Sequence, residues 1–414
     1  MGIKLRITTM NFLQFFAWGA WLISLGGYMI VTLDFTGGQV GSIYATMGIA
    51  SLFMPALMGI IADRWINAER VLGISHLLLA VLLFWAAQLE TYDNLYWIML
   101  LISMAYMPTI ALNNTVSYSI LEQKGFDIVK DFPPIRVWGT VGFILAMWVI
   151  DFAQWTVSPM QLYLSAIVSL ILGVYAFTMP ASPPLSQSKS KSLFSSLGLD
   201  AFALFKQRKM TIFFIFSLLL GASLQITNTF GQPFLHDFAT DFKDSFAVLH
   251  PSALMSISQI SEVLFILTIP FMLKRFGIKK VMLMSMFAWV LRFALFAIGN
   301  PEGIGLAYLI LSMFIYGMAF DFFNISGSLF VEIEAKPEIR ASAQGLFMIM
   351  TNGFGAFIGA IGSGFIVDYF TVDGLRHWPE IWFTFAGYSL IIGLLFWILF
   401  KYKHNPEKLA EIQH

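Results

Sequence analysis

Several charged and polar residues lie inside long apolar stretches, where an ionised side chain is costly. Asp321 lies in YGMAFDFFNISGSLF. Asn324 follows Asp321 by three residues and Phe320 follows Tyr316 by four, so each pair shares one face of a helix. A charge at the middle of a bilayer costs about 3 kcal/mol on insertion scales, so a carboxylate here predicts a function. A carboxylate beside rings suits an aromatic, polyhydroxylated ligand, and desolvation favours its protonated form. The alternative is a structural aspartate that neighbouring helices satisfy.

Two further apolar stretches carry amide and carboxylate side chains on one face. SISQISEVLFILTIP contains Gln259 and Glu262 three residues apart, and LLLGASLQITNTFGQPF contains Gln225, Asn228 and Gln232 at spacings of three and four. Amides donate and accept hydrogen bonds at once, which suits bases and sugars better than simple ions. Two alternatives stay open: Glu262 near a solvated mouth, and amides that hydrogen-bond one helix to another.

Three basic side chains also fall within these stretches. Arg136, Thr140 and Phe143 follow one helical stripe in IRVWGTVGF, although Arg136 comes just after two prolines and could instead mark a cytoplasmic helix end. Arg292 either pairs with one of the acids or extends to the membrane surface. We expect His76 to be a packed residue rather than a proton relay.

The composition identifies the elements that must position these residues. The 414 residues are 58% hydrophobic and only 12% charged, with a net charge of zero and no cysteine. Soluble chains carry about 25% charged residues, so this chain is predicted to be an α-helical membrane protein with many spans. The lack of cysteine excludes disulfides, thiolate metal sites and a cysteine nucleophile, and the balanced, scattered charge argues against nucleic-acid binding.

The hydropathy of the chain predicts twelve membrane spans. Each span needs roughly 20 apolar residues to cross about 30 Å of hydrocarbon. The predicted spans are 10–33, 39–62, 71–89, 95–120, 135–153, 160–180, 211–235, 252–273, 281–299, 303–330, 341–367 and 379–400.

Basic residues in the short loops predict the orientation. With twelve spans both termini lie on one side, and the loops of that side carry 20 of the 24 Lys and Arg residues. The other side carries only Lys243 and Arg376, while Arg136 and Arg292 fall within spans or at their edges. Because cytoplasmic loops are rich in Lys and Arg, we expect both termini in the cytoplasm.

The chain also shows a duplicated organisation. Pro133-Pro134-Ile135-Arg136 before span five is echoed by Pro337-Glu338-Ile339-Arg340 before span eleven. Two six-span halves of this kind predict the all-α major facilitator fold. The predicted parts are an N-terminal six-helix half (1–180), a cytoplasmic linker (181–210), a C-terminal six-helix half (211–400) and a cytoplasmic tail (401–414). Within the linker, LGLDAFALFKQRK is either a surface helix or part of a plain tether.

A short motif after span two predicts a cytoplasmic latch. Gly59-Ile-Ile-Ala-Asp63-Arg64 resembles the first half of the major facilitator signature, although Trp65 begins a degenerate tail. Asp63 would pair with a basic side chain or lie at a helix N-terminus when the inner gate is shut, and Arg64 is the second predicted latch residue. The alternative is ordinary loop charge.

Several function classes find no support in the sequence. It contains no phosphate-binding Gly-Lys-Ser/Thr loop, no regular arginine ladder, no cluster with metal-ligand spacing and no loop long enough for an enzyme domain. We therefore expect neither an enzyme nor a channel, and neither a cofactor nor a metal.

Longer motifs resemble one family. QITNTFG, SISQISE, YGMAFDFFNISGS, DFPPIRVWGTVGF and EIRASAQG are similar to segments of the bacterial nucleoside–proton symporters of the major facilitator superfamily. The likeness extends from FLQFFAWGAWLISLGGYM to FAGYS and implies a central nucleoside-binding cavity that takes residues from both halves. The implied binding residues are Arg136, Thr140, Phe143, Gln225, Asn228, Gln259, Glu262, Tyr316, Phe320 and Asp321.

The resemblance implies import of nucleosides with protons across the bacterial inner membrane. Asp321, with Glu262, would carry the coupled proton. VDYFTVDG and the NPEK tail slightly favour a permease for xanthosine over a broad-range nucleoside permease, which would also transport uridine. The alternatives are a proton-coupled sugar or disaccharide symporter and a receptor that does not transport. We expect a monomer in the lipid bilayer.

Overall fold

The computed structural model describes residues 2–184 and 199–402, and helices make up most of this part of the chain. The chain divides into two compact units, Met1–Leu197 and Gly198–His414. The division falls within the predicted linker. We number the helices of nine residues or more α1 to α12, six in each unit.

Among residues 2–184, the first unit contains six long helices. They are α1 (Ile3–Gly19), α2 (Gly37–Arg64), α3 (Ala68–Ala86), α4 (Tyr92–Gln123), α5 (Ile128–Phe152) and α6 (Met160–Phe177). Side chains cap two of the N-termini. Thr36 and Gln39 form a capping box before α2, and Asp127 accepts from the backbone N–H groups that open α5.

The second unit also contains six numbered helices. They are α7 (Arg208–Asp237), α8 (Ile257–Ile298), α9 (Gly303–Glu334), α10 (Arg340–Met348), α11 (Ala356–Tyr369) and α12 (Trp378–Leu399). Short elements join them: 3-10 helices at Leu199–Lys206 and Pro337–Ile339, helices at Ala239–Phe242, Phe246–Leu249 and Pro251–Met255, a π-helix at Ile349–Gly355, and an antiparallel hairpin of Thr371–Val372 with Leu375–Arg376. The predicted linker helix lies partly outside the described residues, and its described end is the 3-10 helix.

Ten helical stretches of the described chain are long and apolar enough to cross a membrane. Twelve spans were predicted, and two observations account for the difference. One stretch, Pro251–Ile298, contains predicted spans eight and nine, which Gly277 divides with a φ of 75°. The first predicted span is interrupted, because α1 ends at Gly19 and Leu25–Gly27 and a π-helix at Tyr28–Thr32 follow.

The break after α1 is stabilised by a tyrosine of α2. The Tyr44 hydroxyl donates to the Leu22 carbonyl at 2.7 Å and accepts from the Gly26 N–H at 3.0 Å. A backbone that leaves the regular helix in apolar surroundings needs such replacement partners. The interruption is therefore a hydrogen-bonded feature of the unit that hydropathy alone does not reveal.

Two glycines allow the close helix contacts that position the predicted site residues. A Cβ on Gly19 would lie 2.5 Å from the Phe143 carbonyl oxygen, so α1 and α5 approach closely there. A Cβ on Gly317 would lie 2.5 Å from the Ser261 carbonyl oxygen, which joins α9 to the first part of α8. Small residues permit this approach of helix backbones in membrane proteins.

Candidate functional site

In the second unit, the contact at Gly317 places Glu262 of α8 beside Tyr316 of α9. The Ser261 hydroxyl accepts from the Gly317 N–H at 3.0 Å. Tyr316 is buried and is hydrogen-bonded to Glu262. Two residues that the sequence analysis found on separate spans therefore belong to one cluster.

Asp321 belongs to the same cluster. Its side chain is only 4% exposed, and it interacts electrostatically with Glu262. One carboxylate oxygen, Oδ2, is buried and has no hydrogen-bond partner among the described residues. A structural aspartate would have both oxygens satisfied, so this geometry favours a functional acid.

Aromatic rings flank the two acids. The rings of Tyr316 and Phe320 are parallel within 8°, with centroids 5.9 Å apart, and Trp289 meets Tyr316 edge to face at 5.9 Å. Trp289 lies in the second part of α8, and the sequence analysis did not single it out. The cluster thus combines carboxylates with a stack of flat apolar surfaces, which is the combination that a ligand with both a ring and hydroxyls requires.

The three amide side chains of α7 differ in their burial and in their hydrogen bonds. Gln225 is buried and contacts the Thr229 hydroxyl only at 3.5 Å, and Asn228 is half-buried. Gln232 is fully buried and donates to the Ser252 hydroxyl at 3.4 Å, so it joins α7 to the following segment. The amide nitrogen of Gln232 therefore fits the structural alternative for the amide stripe, although its Oε1 atom has no partner among the described residues. Gln225 and Asn228 stay candidates for ligand contacts.

Gln259 resembles Asp321 in one respect. It is half-buried on the first part of α8, three residues before Glu262, and its Oε1 atom is buried with no hydrogen-bond partner in the described chain. An amide with an unused acceptor beside a carboxylate supports its predicted contact with a ligand.

A pocket opens within the second unit next to Phe320. It encloses about 330 Å³ of space, which includes open solvent at its mouth. Its lining residues come from α7, α8, α9 and the π-helix: Leu220, Gly221, Leu224, Trp289, Ala319, Phe320, Phe323, Asn324, Thr351 and Asn352. The sequence analysis missed Thr351 and Asn352. A π-helical turn often marks a functional site, but the sequence MTNGFG gave no sign of one.

In the first unit, the contact at Gly19 sets the surroundings of Phe143. Phe143 is buried and meets Trp18 edge to face at 6.1 Å. The Arg136 guanidinium lies 4.0 Å from the centre of the Phe15 ring on α1 and interacts electrostatically with Tyr106. Half-buried Arg136 is thus packed against rings, which disfavours the alternative of an arginine that only marks a helix end.

The prolines before Arg136 do not start the helix. Helix α5 begins at Ile128, so Pro133 and Pro134 lie inside it, and the predicted start at 135 is wrong by seven residues. Asp127 caps the helix instead, because its side chain accepts from the backbone N–H groups of Val129 and Lys130, which have no partner within the helix. Thr140 follows one turn after Arg136 and is half-buried.

His76 is packed, as expected. It is fully buried, and its Nε2 atom is 2.7 Å from the Gln14 amide oxygen. The Gln14 amide nitrogen donates to the Thr109 hydroxyl at 2.7 Å, and the Tyr106 hydroxyl donates to the Gln14 carbonyl at 3.2 Å. This buried network holds α1, α3 and α4 together beside the Trp18 and Phe143 pair.

The predicted latch residues lie at the end of α2. Asp63 and Arg64 are both exposed there. Their position at a helix end agrees with the loop predicted from the sequence, and a latching role stays a prediction.

Comparisons with known proteins identify the chain. The profile of the family described as "Nucleoside H+ symporter" matches residues 1–405. The chain is 57% identical over 411 residues to the xanthosine permease of Escherichia coli (strain K12), with 99% of this chain and 98% of that protein covered. It is 55% identical over 406 residues to the nucleoside permease NupG of the same strain, with 98% and 97% covered.

Solved structures agree with this result. The crystal structure of the nucleoside transporter NupG matches with a TM-score of 0.92 at 55% identity, covering 97% of this chain and 100% of that chain. A peptide transporter POT matches at 0.73 with 16% identity over 96% of this chain and 94% of that chain, which shows the fold alone. The fold is that of the major facilitator superfamily, as predicted. The chain belongs to the nucleoside H+ symporter family.

Proposed function

We propose that this protein imports nucleosides together with protons across the bacterial inner membrane. Family membership over residues 1–405 and the close similarity to a xanthosine permease and to NupG support the proposal. The ten long apolar helical stretches of the described chain support a multi-pass membrane protein. The proposal includes cytoplasmic termini and a monomeric state.

The observation that carries the proposal is the cluster of Glu262, Tyr316, Phe320 and Asp321 in the second unit. The stacked rings offer a surface for a nucleobase, because aromatic faces prefer offset stacking with other flat rings. The buried Asp321 Oδ2 and Gln259 Oε1 atoms offer unused acceptors for hydroxyl and N–H donors. Gln225 and Asn228 add amides that both donate and accept.

The same acids supply the proton coupling. Asp321 is only 4% exposed and its Oδ2 atom has no hydrogen-bond partner among the described residues, so we propose that Asp321 takes up a proton from the outside and releases it inside. Glu262 is the second acid of the pair. A membrane potential of 100 mV contributes about 2.3 kcal/mol for each proton that enters the cell. This free energy is enough to concentrate a neutral solute tens-fold. Alternating access of the site to the two sides of the membrane completes the cycle.

The first unit contributes Arg136, Thr140 and Phe143 to substrate binding in this proposal. Their support is the packing of Arg136 on Phe15 and of Phe143 on Trp18, which limits the orientations of both side chains. Asp63 and Arg64 form the proposed latch at the cytoplasmic end of α2. The xanthosine permease and NupG are 57% and 55% identical to this chain, so overall identity does not separate a xanthosine preference from a broad range.

The test is uptake by purified protein in proteoliposomes under an imposed pH gradient. The accumulation of labelled uridine, adenosine, inosine and xanthosine should be measured separately, and the relative amounts give the substrate preference. A protonophore should abolish accumulation of each nucleoside that is transported. Unlabelled disaccharides in excess should not compete. Competition by a disaccharide but not by nucleosides would favour the sugar symporter, and binding without counterflow would favour the receptor.

A further inference from the structure

The second unit contains an asparagine that the proposed mechanism does not use. Asn324 lies on α9, three residues after Asp321 and on the same helix face. Its side chain is half-buried and lines the pocket next to Phe320. It makes no hydrogen bond among the described residues. An amide that lines a pocket with its donors and its acceptor unused is suited to bind polar groups of a ligand.

Asn324 continues the stripe of rings along α9. Tyr316, Phe320 and Asn324 follow one another at intervals of four residues, so they share one helix face. The rings of Tyr316 and Phe320 are parallel within 8°. Four residues correspond to about 6 Å along a helix axis. The edge of a flat base that stacks on Phe320 can therefore reach the Asn324 amide.

A buried arginine fixes the other end of this stripe. Arg292, in the second part of α8, is only 2% exposed, and its Nη1 atom donates to the Ser312 carbonyl at 2.8 Å. Its guanidinium carbon lies 4.7 Å from the ring centre of Tyr316, and a cation over a ring face is attracted by the ring quadrupole. These contacts restrain Tyr316 and exclude the alternative in which Arg292 extends to the membrane surface.

The π-helix at Ile349–Gly355 supplies a second amide to the same pocket. Asn352 lines the pocket, and its side chain makes one hydrogen bond among the described residues, from Nδ2 to the Met348 sulfur at 3.5 Å. A thioether is a weak acceptor, so the other N–H and the amide oxygen stay available. A Cβ on Gly221 of α7 would collide with the Thr351 carbonyl, so α7 packs directly against the π-helix and holds it in place.

The other walls of the pocket are largely apolar. They include leucines of α7, Trp289 and Phe323. A ribose carries hydroxyls around its ring and would leave them without partners against such walls, whereas a base has apolar faces and confines its polar groups to its edge. The unused acceptors of Asp321 and Gln259 lie outside this lining and suit the ribose hydroxyls. The pocket therefore favours the base.

We propose that Asn324 and Asn352 read the edge of the nucleobase and are specificity-determining residues of the transporter. The base stacks on Phe320, and Asn324 accepts from an N–H group of the base and donates to the carbonyl beside it. Uracil and xanthine both present such an N–H next to a carbonyl, which one amide satisfies with one donor and one acceptor. Asn352 donates to a second carbonyl of the base. This inference rests on the proposed function and names the part of the nucleoside that the pocket binds.

The test compares nucleosides that differ by one methyl group. Binding of uridine and 3-methyluridine, and of xanthosine and 1-methylxanthosine, is measured on the purified protein in detergent. The methyl group replaces the N–H that donates to Asn324, so the wild-type protein should bind each methylated nucleoside about tenfold more weakly than its parent.

Asn324→Ala removes the amide and leaves room for the methyl group. Its affinity for the parent nucleosides should fall about tenfold, and each methylated nucleoside should then bind within about twofold of its parent. Asn352→Ala should weaken binding of the parents about threefold and retain the methyl penalty, because Asn324 still accepts from the N–H group.

Two controls separate base recognition from other effects. The 2′-deoxy forms of the same nucleosides lack one ribose hydroxyl, and their affinity relative to the parents should be the same in Asn324→Ala as in the wild-type protein. Ser328 lies one turn further along α9, and its hydroxyl donates to the Gln344 amide oxygen at 3.1 Å. Because that hydroxyl already has a partner, Ser328→Ala should bind every nucleoside within about twofold of the wild-type affinity.

Several results would overturn the inference alone. They are wild-type affinity for the parents in Asn324→Ala, an undiminished methyl penalty in that variant, and a change confined to the 2′-deoxy forms, which would assign Asn324 to the ribose. Wild-type protein that binds neither parent would overturn the proposed function as well. If Asn324→Ala does not fold, Asn324→Leu, which has a similar volume, should show the same tenfold loss for the parents, and wild-type affinity there would overturn the inference.

Discussion

The two units place different chemistry around their predicted site residues. In the first unit, the residues behind Phe143 and Arg136 are rings and a network of neutral hydrogen-bonding groups centred on Gln14 and His76. In the second unit, the equivalent surroundings contain two carboxylates and a buried guanidinium, with Asp321 among them. The difference suggests a division of labour in which the first unit supplies shape and the second supplies proton chemistry.

The physical reason for such a division is the cost of charge inside a membrane. A neutral network gains directional hydrogen bonds without the desolvation of an ion, so it is suited to holding helices and rings in place. A charged cluster is costly, and such clusters inside membranes mark substrate pathways and proton relays. The following predictions test this comparison, from the largest expected effect to the smallest.

The largest effect is expected for Asp321→Asn. The amide keeps the shape of a protonated acid but cannot titrate, so accumulation driven by a pH gradient should be abolished. Binding and nucleoside exchange should persist, because neither requires net proton movement. The measurement is uptake under an imposed gradient, together with counterflow on the same preparation. Full accumulation by this variant would remove Asp321 from the proton path and leave Glu262 as the next candidate.

The next effect concerns the amides of α7. Gln225→Ala or Asn228→Ala should weaken nucleoside binding by about 1–3 kcal/mol each, because a buried ligand group loses its partner. Gln232→Ala is the matched control, since Gln232 donates to Ser252 and should mainly affect stability. Equilibrium binding in detergent measures all three. Normal binding by both Gln225→Ala and Asn228→Ala would assign the amides to helix packing.

A smaller effect is expected in the first unit. His76→Leu leaves the Gln14 amide oxygen without its 2.7 Å partner, which should cost about 1–3 kcal/mol of stability. The number of protons moved per nucleoside should stay at the wild-type value. Thermal unfolding and proton flux in proteoliposomes measure the two quantities. A changed proton ratio in His76→Leu would break the division of labour and bring the first unit into the proton path.

The last prediction involves no substitution and concerns the orientation of the chain in the membrane. Topology reporters fused in the linker at Ser190, which lies outside the described residues, and at the C-terminus should score cytoplasmic. A reporter at Asp244 should score outside, because the loops on that side carry only Lys243 and Arg376. A linker reporter on the outside would contradict the assignment of six spans to each half.

The sequence by itself determined the class of protein, the apolar stretches and most of the candidate residues. These are local properties: hydropathy is summed over one stretch, and spacings of three and four place Gln259 with Glu262 on one helix face. The long motifs also identified the family, which the comparisons confirm.

Only the tertiary structure decided how residues of different helices meet. The partner of Arg292 depends on side chains of α8 and α9 that lie far apart in the chain, and no periodicity encodes such a contact. The break after Gly19 has the same origin, because Tyr44 of another helix supplies the hydrogen bonds that make the irregular backbone tolerable. Asn352 lines the pocket from a π-helix, an irregularity that the hydropathy of the chain does not reveal. Packing between helices, rather than the pattern along any one of them, selects these arrangements.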